Sequence, residues 1–180
     1  MANKFFTKKG DDGRVRIENK VYSKNDAIFY ALGDLDELNS LIGLARNYLS
    51  KNLNKKLFQI QEDLFLIQAI LAERYFLKNF KRNFPEERIL NLEKEIEKIE
   101  KIVEPINKFI IPGSNKTSAW LDYLRSVARR AERSLIFLDS KKKILQNEII
   151  AYINRLSSYF YALARLSAHQ KKIKEPNPRY

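Results

Sequence analysis

The segment from Arg125 to Arg133 concentrates guanidinium groups at spacings that a helix gathers on one face. Arg125, Arg129 and Glu132 lie at i, i+4 and i+7, and Arg130 and Arg133 lie beside them. This face borders the apolar positions of the same helix, where an unpaired charge is costly. Phosphate oxygens can pair with such arginines bidentately. The alternative is pairing with acidic residues of the same helix, so spacing alone leaves both an anion site and a salt-bridged surface open.

A second polar stripe runs along the last part of the chain. Asn154, Ser158, Tyr161 and Arg165 recur at i, i+4, i+7 and i+11 between apolar neighbours. A polar stripe on a mostly apolar helix faces either a ligand or the polar side chains of another helix. The spacing favours neither interpretation over the other.

The segment from Thr7 to Gly13 combines a hydroxyl group, lysines, aspartates and glycines, with Gly10 in its middle. The backbone N–H groups of such loops can bind phosphate. The segment lacks the strand–GxxxxGK[ST]–helix pattern of a P-loop, and an ordinary turn is the favoured interpretation when it is taken in isolation.

Hydrophobic periodicity predicts an all-α bundle of about five helices to position these groups. The first predicted helix begins at Asn25 or Asp26, and the other four cover about 54–77, 85–103, 116–138 and 146–171. Their apolar stripes are Leu35, Leu38, Ile42, Ala45 and Leu49; Leu57, Ile60, Leu64, Ile67 and Leu71; Leu121, Leu124, Ala128, Ala131 and Leu135; and Ile153, Leu156, Phe160 and Leu163. We expect one domain over residues 1–180, with a non-helical segment 1–24, a bundle 25–171 and a tail 172–180.

The composition excludes several classes of site. The 180-residue chain has 34 Lys and Arg against 22 Asp and Glu, and this net charge of +12 indicates an anionic partner or simply solvated helix faces. It has no cysteine, and its only histidine is His169, which excludes disulfides, thiolate catalysis and multi-His metal sites. No signal peptide and no apolar run of roughly 18 residues is present, so we expect a cytoplasmic protein without a membrane partner.

Several segments occur together in one order along the chain. They are Thr7-x-x-Gly10-Asp11-x-Gly13, Gly33-Asp-Leu-Asp-Glu-Leu-Asn-Ser40, Phe109-x-Ile-Pro-Gly113, Arg125-Ser-Val-Ala-Arg-Arg-Ala-Glu-Arg133, Tyr152-Ile-Asn-Arg-Leu-Ser157 and Leu163-Ala-Arg165. In combination they resemble the PduO-type family of ATP:cob(I)alamin adenosyltransferases. The resemblance extends from Thr7 to about His169. The Arg125–Arg133 block and the Tyr152–Ser157 block are specific in combination, whereas the glycine loop is not.

The resemblance implies a homotrimer of five-helix bundles with ferritin-like up-down packing and with active sites between subunits. The implied reaction transfers the 5′-deoxyadenosyl group of ATP to cob(I)alamin and releases triphosphate. Reduced cobalt is the nucleophile, so the protein needs only to position ATP and stabilise the leaving triphosphate. ATP with Mg²⁺ and cob(I)alamin are thus the implied substrates, a cobalamin reductase and an adenosylcobalamin-dependent enzyme are the implied protein partners, and no protein metal ligand is assigned.

The resemblance also assigns roles to individual residues. The implied ATP-binding residues are Thr7, Lys8, Gly10, Asp11, Gly13, Lys20, Lys24, Arg129, Glu132 and Asn154. The implied catalytic residues are Arg129, Asn154, Asp36 and Arg125, the last two of which form a salt bridge across the subunit interface. Glu132 is expected to orient neighbouring arginines. Phe109 is expected to bind cobalamin at the lower face of the corrin ring, where it displaces the lower cobalt ligand.

Three segments depart from the family's pattern. Ser114 replaces a glycine, Asp122 replaces a histidine, and Asp34-Leu35 replaces a small or β-branched pair. Asp122 adds a negative charge near the arginine face, which changes the hydrogen bonding expected there. Ser114 alters the loop next to the corrin, so the departures bear more on corrinoid affinity than on ATP binding.

Two other functional classes compete with this interpretation. One is a basic helical bundle that binds ATP, a corrinoid or nucleic acid without catalysis. We expect no nucleic-acid partner, because the arginines border the core and few aromatic residues alternate with them. The other is a ferritin-like di-iron protein, which the absence of Glu-x-x-His motifs disfavours.

Overall fold

The computed structural model describes residue 5 and residues 8–77, 81–104 and 106–179. These residues form a β-hairpin and five helices, which confirms the predicted all-α bundle. The elements are β1 (Arg14–Ile17), β2 (Lys20–Ser23), α1 (Ala27–Arg46), α2 (Lys51–Phe76), α3 (Glu87–Glu100), α4 (Lys116–Lys142) and α5 (Asn147–Gln170).

Neighbouring helices run antiparallel. On α4 and α5, Glu132 contacts Asn154, and Asp122, nearer the start of α4, contacts Arg165, nearer the end of α5. The start of α4 also packs beside the end of α1, since Trp120 stacks on the residues that follow α1. The α4–α5 pair therefore carries both predicted polar faces side by side.

The core confirms the apolar stripes predicted for α1, α2, α4 and α5. Every predicted stripe residue is buried except Leu49, which follows the end of α1 and is only partly buried. Tyr152, Tyr159 and Phe160 on α5 are the largest of the fully buried side chains. Because α5 buries residues on several sides, it is the central element that fixes its neighbours.

Several helix boundaries differ from their predicted places. α2 begins at Lys51, not near 54, because the Ser50 hydroxyl accepts a hydrogen bond from the backbone N–H of Leu53 at 3.5 Å. α4 begins as predicted, in a capping box, but continues to Lys142, past 138. There Lys143 ends it in the left-handed conformation, with φ +49°. α3, over Glu87–Glu100, is shorter than the predicted 85–103.

Residues 8–24 confirm the prediction of a non-helical start. The weak alternation over Arg14–Ile17 predicts a short extended piece there, but no pattern predicts the second strand. β1 and β2 pair antiparallel with Arg14 opposite Ser23 and Ile17 opposite Lys20. The intervening turn holds Glu18 at φ +51°, a conformation that costs a non-glycine residue energy. The hairpin is short, and its position depends on packing against the bundle.

Within the described part of the chain, no helix is both long enough and apolar enough to cross a membrane.

Candidate active site

The arginines of α4 do not share one environment. Arg130 is paired across to α1, with its Nε 3.2 Å from an Asp34 carboxylate oxygen and its Nη2 bonded to Glu37. Contact with Glu37 raises the pKa of the Arg130 guanidinium. Arg129 and Arg133 are exposed, and among the described residues neither has an ion-pair partner. Arg130 is thus held within the chain, whereas Arg129 and Arg133 are available to a ligand.

A cleft of about 530 Å³ lies between α3, α4 and α5. Its cationic side carries Arg125 and Arg129 from α4 and Arg165 from α5. The facing side is formed by the end of α3 and the residues that follow it, where Ile96, Ile99, Val103 and Ile106 are apolar and Glu100 and Glu104 are acidic. A site with one mostly apolar wall and one wall that carries arginines fits a ligand that has both a large apolar surface and negative charge.

A second cleft of about 460 Å³ adjoins the first and is lined by residues 106–110, Pro112 and several α4 and α5 side chains. The two clefts share Ile106, Arg125, Tyr161 and Arg165, so together they form one groove, which we call the arginine groove. The centroid of the Tyr161 ring is 5.5 Å from the guanidinium carbon of Arg125 and 4.9 Å from that of Arg165. These contacts hold both cations beside the groove.

Phe109 lies on the loop over residues 106–114 and lines the arginine groove. Its side chain is 78% exposed, which is unusual for a large apolar residue. Since its ring packs little within the chain, its placement depends on the backbone of the loop, and the ring is free to contact a ligand in the groove.

Asn154 and Glu132 meet between α4 and α5. The Asn154 amide nitrogen donates to a Glu132 carboxylate oxygen at 2.8 Å, and its amide oxygen accepts from Arg155 at 3.1 Å. Arg155 in turn bonds to Glu93 on α3. In the described part of the chain, no salt bridge joins Glu132 to an arginine. Its contact is with Asn154, which it orients instead of the neighbouring arginines that we expected.

Asp122 and Arg165 form a buried ion pair. One Arg165 nitrogen donates to both Asp122 carboxylate oxygens, at 2.8 and 2.7 Å, and the side chains are 3% and 8% exposed. A second Arg165 nitrogen lies 3.2 Å from a carboxylate oxygen of Glu175. The departure at Asp122 therefore supplies the partner that a buried guanidinium on α5 requires. The polar stripe predicted on α5 therefore has two environments. Ser158 and Tyr161 face the groove, whereas Arg165 lines the groove and also pairs with Asp122 and Glu175.

The N-terminal loop is held to the hairpin by Lys24. The Lys24 ammonium donates to the Gly10 carbonyl at 2.8 Å, and its backbone N–H donates to the Gly13 carbonyl at 2.9 Å. Gly10 and Gly13 have φ of +92° and +74°, which only glycine adopts at little cost. A side chain at Gly10 would bring its Cβ within 2.9 Å of the Arg14 carbonyl oxygen. The loop conformation thus requires glycine.

The other predicted residues of this region are exposed. Lys8, Asp11 and Lys20 are all exposed, and Lys8 has a positive φ of 58°. Thr7 lies outside the described residues. On α1, Asp36 is also exposed, and no described contact within the chain joins it to Arg125. The structure therefore brings Arg125 and Arg129 together with Phe109, but not with Asp36.

The hairpin and the 106–114 loop lie near opposite ends of α4. The hairpin packs against Tyr75 through Tyr22, with ring centroids 6.1 Å apart, and Lys142 at the end of α4 lies 5.7 Å from the same Tyr75 ring. The 106–114 loop, in contrast, is bonded to Asp122 near the start of α4. At about 1.5 Å per residue, the helix between these two positions is about 30 Å long. Within one chain the N-terminal loop is therefore far from the Phe109 end of the arginine groove.

Comparison with known sequences decides which family combines these features. The sequence model of the family described as cobalamin adenosyltransferase matches residues 5–167. The chain belongs to the cobalamin adenosyltransferase family. The match includes both polar helix faces, the 106–114 loop and the whole hairpin, so it covers every residue that lines the groove.

Curated and solved members of the cobalamin adenosyltransferase family resemble the chain over most of its length. The corrinoid adenosyltransferase of Bacillus subtilis (strain 168) is 35% identical over 168 residues, which cover 91% of this chain and 86% of that protein. The corrinoid adenosyltransferase MMAB of Bos taurus is 32% identical, over 97% of this chain and 74% of that protein. A variant of the PduO-type ATP:corrinoid adenosyltransferase from Lactobacillus reuteri, complexed with cobalamin and ATP, superposes with a TM-score of 0.86 at 32% identity. That match covers 98% of this chain and 97% of the other.

Among the described residues, no group of three or more His, Asp or Glu side chains is arranged to hold a metal ion. Arginines in the groove and lysines in the N-terminal loop are the groups that this chain presents to an anionic ligand.

Sequence reasoning missed the residues of the C-terminal tail. Glu175 and Asn177 contact the 106–114 loop, although the tail has no helical periodicity. Pro176 and Pro178 do predict an extended backbone around them. Nothing in the local pattern indicates the surface against which that extended segment packs.

Proposed function

We propose that this protein transfers the 5′-deoxyadenosyl group of ATP to the cobalt of cob(I)alamin, giving adenosylcobalamin and triphosphate. The observation that carries the proposal is the arginine groove, which places the unpaired Arg129 and the exposed Phe109 on one continuous surface in a chain of the cobalamin adenosyltransferase family. The groove has the cations that a triphosphate needs and an apolar wall for the corrin ring.

The reaction needs little chemistry from the protein. Cob(I)alamin attacks the 5′ carbon of ATP, a cobalt–carbon bond forms, and the bond from that carbon to the triphosphate oxygen breaks. The cobalt supplies the electron pair of the new bond, the departing oxygen keeps the pair of the old one, and no proton is transferred. The protein therefore accelerates the step by aligning the two substrates and by stabilising the negative charge on the triphosphate.

Arg129 is the residue that we assign to the triphosphate within the groove. Its guanidinium is exposed and lacks an intramolecular partner among the described residues, whereas Arg130 is held by two carboxylates. Asn154 positions the nucleotide, because Glu132 and Arg155 fix both ends of its amide and leave one further donor and acceptor free. The Asn154 amide is therefore preorganised before the ligand arrives.

The N-terminal loop binds the triphosphate from the other side. Gly10 and Gly13 let the backbone follow the phosphates closely, as positive-φ positions do in anion-binding loops. Lys24 has two ammonium hydrogens left after its bond to the Gly10 carbonyl. We assign further contacts to Thr7, Lys8, Asp11 and Lys20. Mg²⁺ accompanies ATP and keeps most of its ligands from phosphate and water.

The active site is completed by a neighbouring subunit. Within one chain the N-terminal loop lies about 30 Å along α4 from the Phe109 end of the groove, so we assign the triphosphate contacts of the loop to the groove of a second copy. Asp36 is exposed and has no partner within its chain among the described contacts, and we assign it to Arg125 of the adjoining copy. We propose a homotrimer with one active site at each interface.

Phe109 contacts the lower face of the corrin ring. Its exposure of 78% and its place on the groove suit a ring that contacts a flat apolar ligand. By filling the lower axial position, the side chain displaces the cobalt's lower ligand and favours the reduced, four-coordinate metal that acts as nucleophile.

The deciding assay mixes the purified protein with cob(I)alamin and Mg-ATP under strict reduction. We expect the absorbance of cob(I)alamin to be replaced by that of adenosylcobalamin, with triphosphate formed in equal amount. The matched control omits ATP and should retain the cob(I)alamin spectrum. Binding of both substrates without turnover would instead make the protein a non-catalytic binding module.

A further inference from the structure

The C-terminal tail, residues 173–179, makes a series of hydrogen bonds to the 106–114 loop. The Ile111 N–H donates to the Pro176 carbonyl at 2.9 Å, and the Asn177 amide nitrogen donates to the Phe109 carbonyl at 2.8 Å. The tail has no regular secondary structure, so its contacts with this loop are what orders both segments together.

The buried charges of the Asp122–Arg165 pair reach the same loop from the other direction. The Gly113 N–H donates to an Asp122 carboxylate oxygen at 3.2 Å. The Ser114 hydroxyl donates at 2.9 Å to Glu175, whose carboxylate is also 3.2 Å from Arg165. Arg165 thus holds one carboxylate on α4 and one on the tail, and each of these carboxylates bonds to the loop.

These contacts determine where Phe109 lies. The loop has no helix or strand ladder to define its backbone, and the exposed Phe109 ring contributes little packing of its own. Four residues of the loop, at positions 109, 111, 113 and 114, instead form hydrogen bonds to the tail or to Asp122. Charge-assisted hydrogen bonds in a buried setting are the strongest of these restraints.

We propose that the tail and the Arg165 network form a positioning device for the corrinoid, with Glu175 and Asn177 as positioning residues that act through the 106–114 loop. This inference rests on the proposed function, because it concerns how the same groove receives its corrinoid substrate. The device leaves the N-terminal loop untouched, since that loop packs near the other end of α4. Its loss must weaken corrinoid binding and spare ATP binding.

Glu175→Ala and Asn177→Ala test the proposal without unfolding the bundle, because Arg165 keeps Asp122 in both variants and Asn177 is exposed. We expect the KM for cob(I)alamin to rise about tenfold in Glu175→Ala, as the loss of a charge-assisted hydrogen bond implies, and less in Asn177→Ala. The KM for ATP and the melting temperature should stay close to those of the unchanged protein.

Lys174→Ala is the matched control. Lys174 is exposed, lies beside Glu175 on the tail and makes no described contact with the loop, so both KM values should be unchanged. An equal rise of the KM for ATP and the KM for cob(I)alamin in Glu175→Ala, or no change in either, would overturn the proposal.

Hydrogen exchange in the free protein separates this inference from the proposed function. The amide of Ile111 should exchange about tenfold faster in Glu175→Ala than in the unchanged protein, because its acceptor is the Pro176 carbonyl of the tail. The amide of Gly113, which is bonded to Asp122, should change less. This readout needs no substrate. Unchanged exchange at Ile111 refutes the positioning device even if the enzyme is active, while a lack of turnover in the unchanged protein refutes the proposed function alone.

Discussion

Two adjacent arginines on α4 show how the partners of a side chain decide its role. Arg130 is held by Asp34 and Glu37, whereas Arg129 faces the groove without a partner among the described residues. A charged group that is already paired has little to offer a ligand, since its binding would first break the existing contacts. The unpaired guanidinium is the one available to the triphosphate.

Arg129→Ala should therefore abolish most of the activity while leaving the fold intact. We expect kcat/KM to fall about a hundredfold or more, the usual cost of removing one charged donor from a preorganised site. The melting temperature should change little, because the side chain is exposed and has no described ion pair. The absorbance assay for adenosylcobalamin gives the first quantity and thermal unfolding the second.

Arg133→Ala is the control for that variant. Arg133 is also exposed and lies on the same helix, but it does not line the groove. The Arg133→Ala substitution removes the same charge, and this variant should retain nearly full activity. If both variants lost activity equally, the effect would come from overall charge and not from a contact with the triphosphate.

Asp63 is the residue at which folding and pH should be linked. It lies on α2, accepts a hydrogen bond from Tyr152 at 2.7 Å and is 3.5 Å from Arg88, yet burial is the largest effect and raises its pKa. The folded protein consequently keeps this proton to a higher pH than the unfolded chain does. Ionisation of Asp63 thus reduces stability as the pH rises from the ordinary carboxyl pKa through the raised one.

Asp63→Asn removes this ionisation. The free energy of unfolding of the variant, relative to the unchanged protein, should improve as the pH is raised from about 4 to about 7, across the range of a raised carboxyl pKa. Urea unfolding at the two pH values measures the difference, in which the other titrating groups cancel. A relative stability that stays constant or changes in the opposite direction would show that the pKa of Asp63 is not raised.

At the scale of elements, the N-terminal loop depends on a backbone conformation and not on side-chain packing. Gly10→Ala would force a Cβ against the Arg14 carbonyl and against the end of the Lys24 side chain, at 2.9 and 3.1 Å. The substitution also places alanine at φ +92°, which strains it. We expect the KM for ATP to rise about tenfold, a cost of about 1.4 kcal/mol, with the KM for cob(I)alamin unchanged.

Asn19→Ala provides the comparison within the same hairpin. Asn19 is exposed in the turn between β1 and β2, at the end of the hairpin away from the glycine loop. The KM of the Asn19→Ala variant for ATP should match that of the unchanged protein. A rise in both variants would indicate a general loosening of the hairpin in place of a local effect on the phosphate loop.

The helices themselves were predictable because apolar residues recur at helical spacing over long stretches. The boundaries were less so, since Ser50 and Lys143 act through local hydrogen bonds and a left-handed residue that periodicity does not report. The second strand was missed because four residues are too few for alternation to be distinctive.

At the scale of the whole molecule, the proposed trimer depends on a contact that one chain does not make. Asp36→Arg should prevent pairing with Arg125 of the neighbouring copy and place two cations together there. We expect the mass in solution at micromolar concentration to fall from three chains of 21.3 kDa toward one. Light scattering after size-exclusion chromatography measures this mass, and the double variant Asp36→Arg with Arg125→Asp should restore the trimer.

Glu37→Ala is the appropriate comparison for the assembly. Glu37 is the next residue on α1 and is also exposed, but its partner Arg130 lies within the same chain. The mass of this variant should remain that of the unchanged protein. A monomeric unchanged protein under these conditions would contradict the trimer directly.

The sequence by itself determined the bundle, its core and the side chains that could bind a ligand, because helical periodicity and residue type are local properties. It also indicated Arg129 and Phe109 through their resemblance to a family pattern. Only the tertiary structure decided that Arg130 is paired, that Glu132 orients Asn154, and that Asp122 meets Arg165 in the core. These contacts join residues far apart in the chain, and neither helical spacing nor composition records which distant side chain fills a given space.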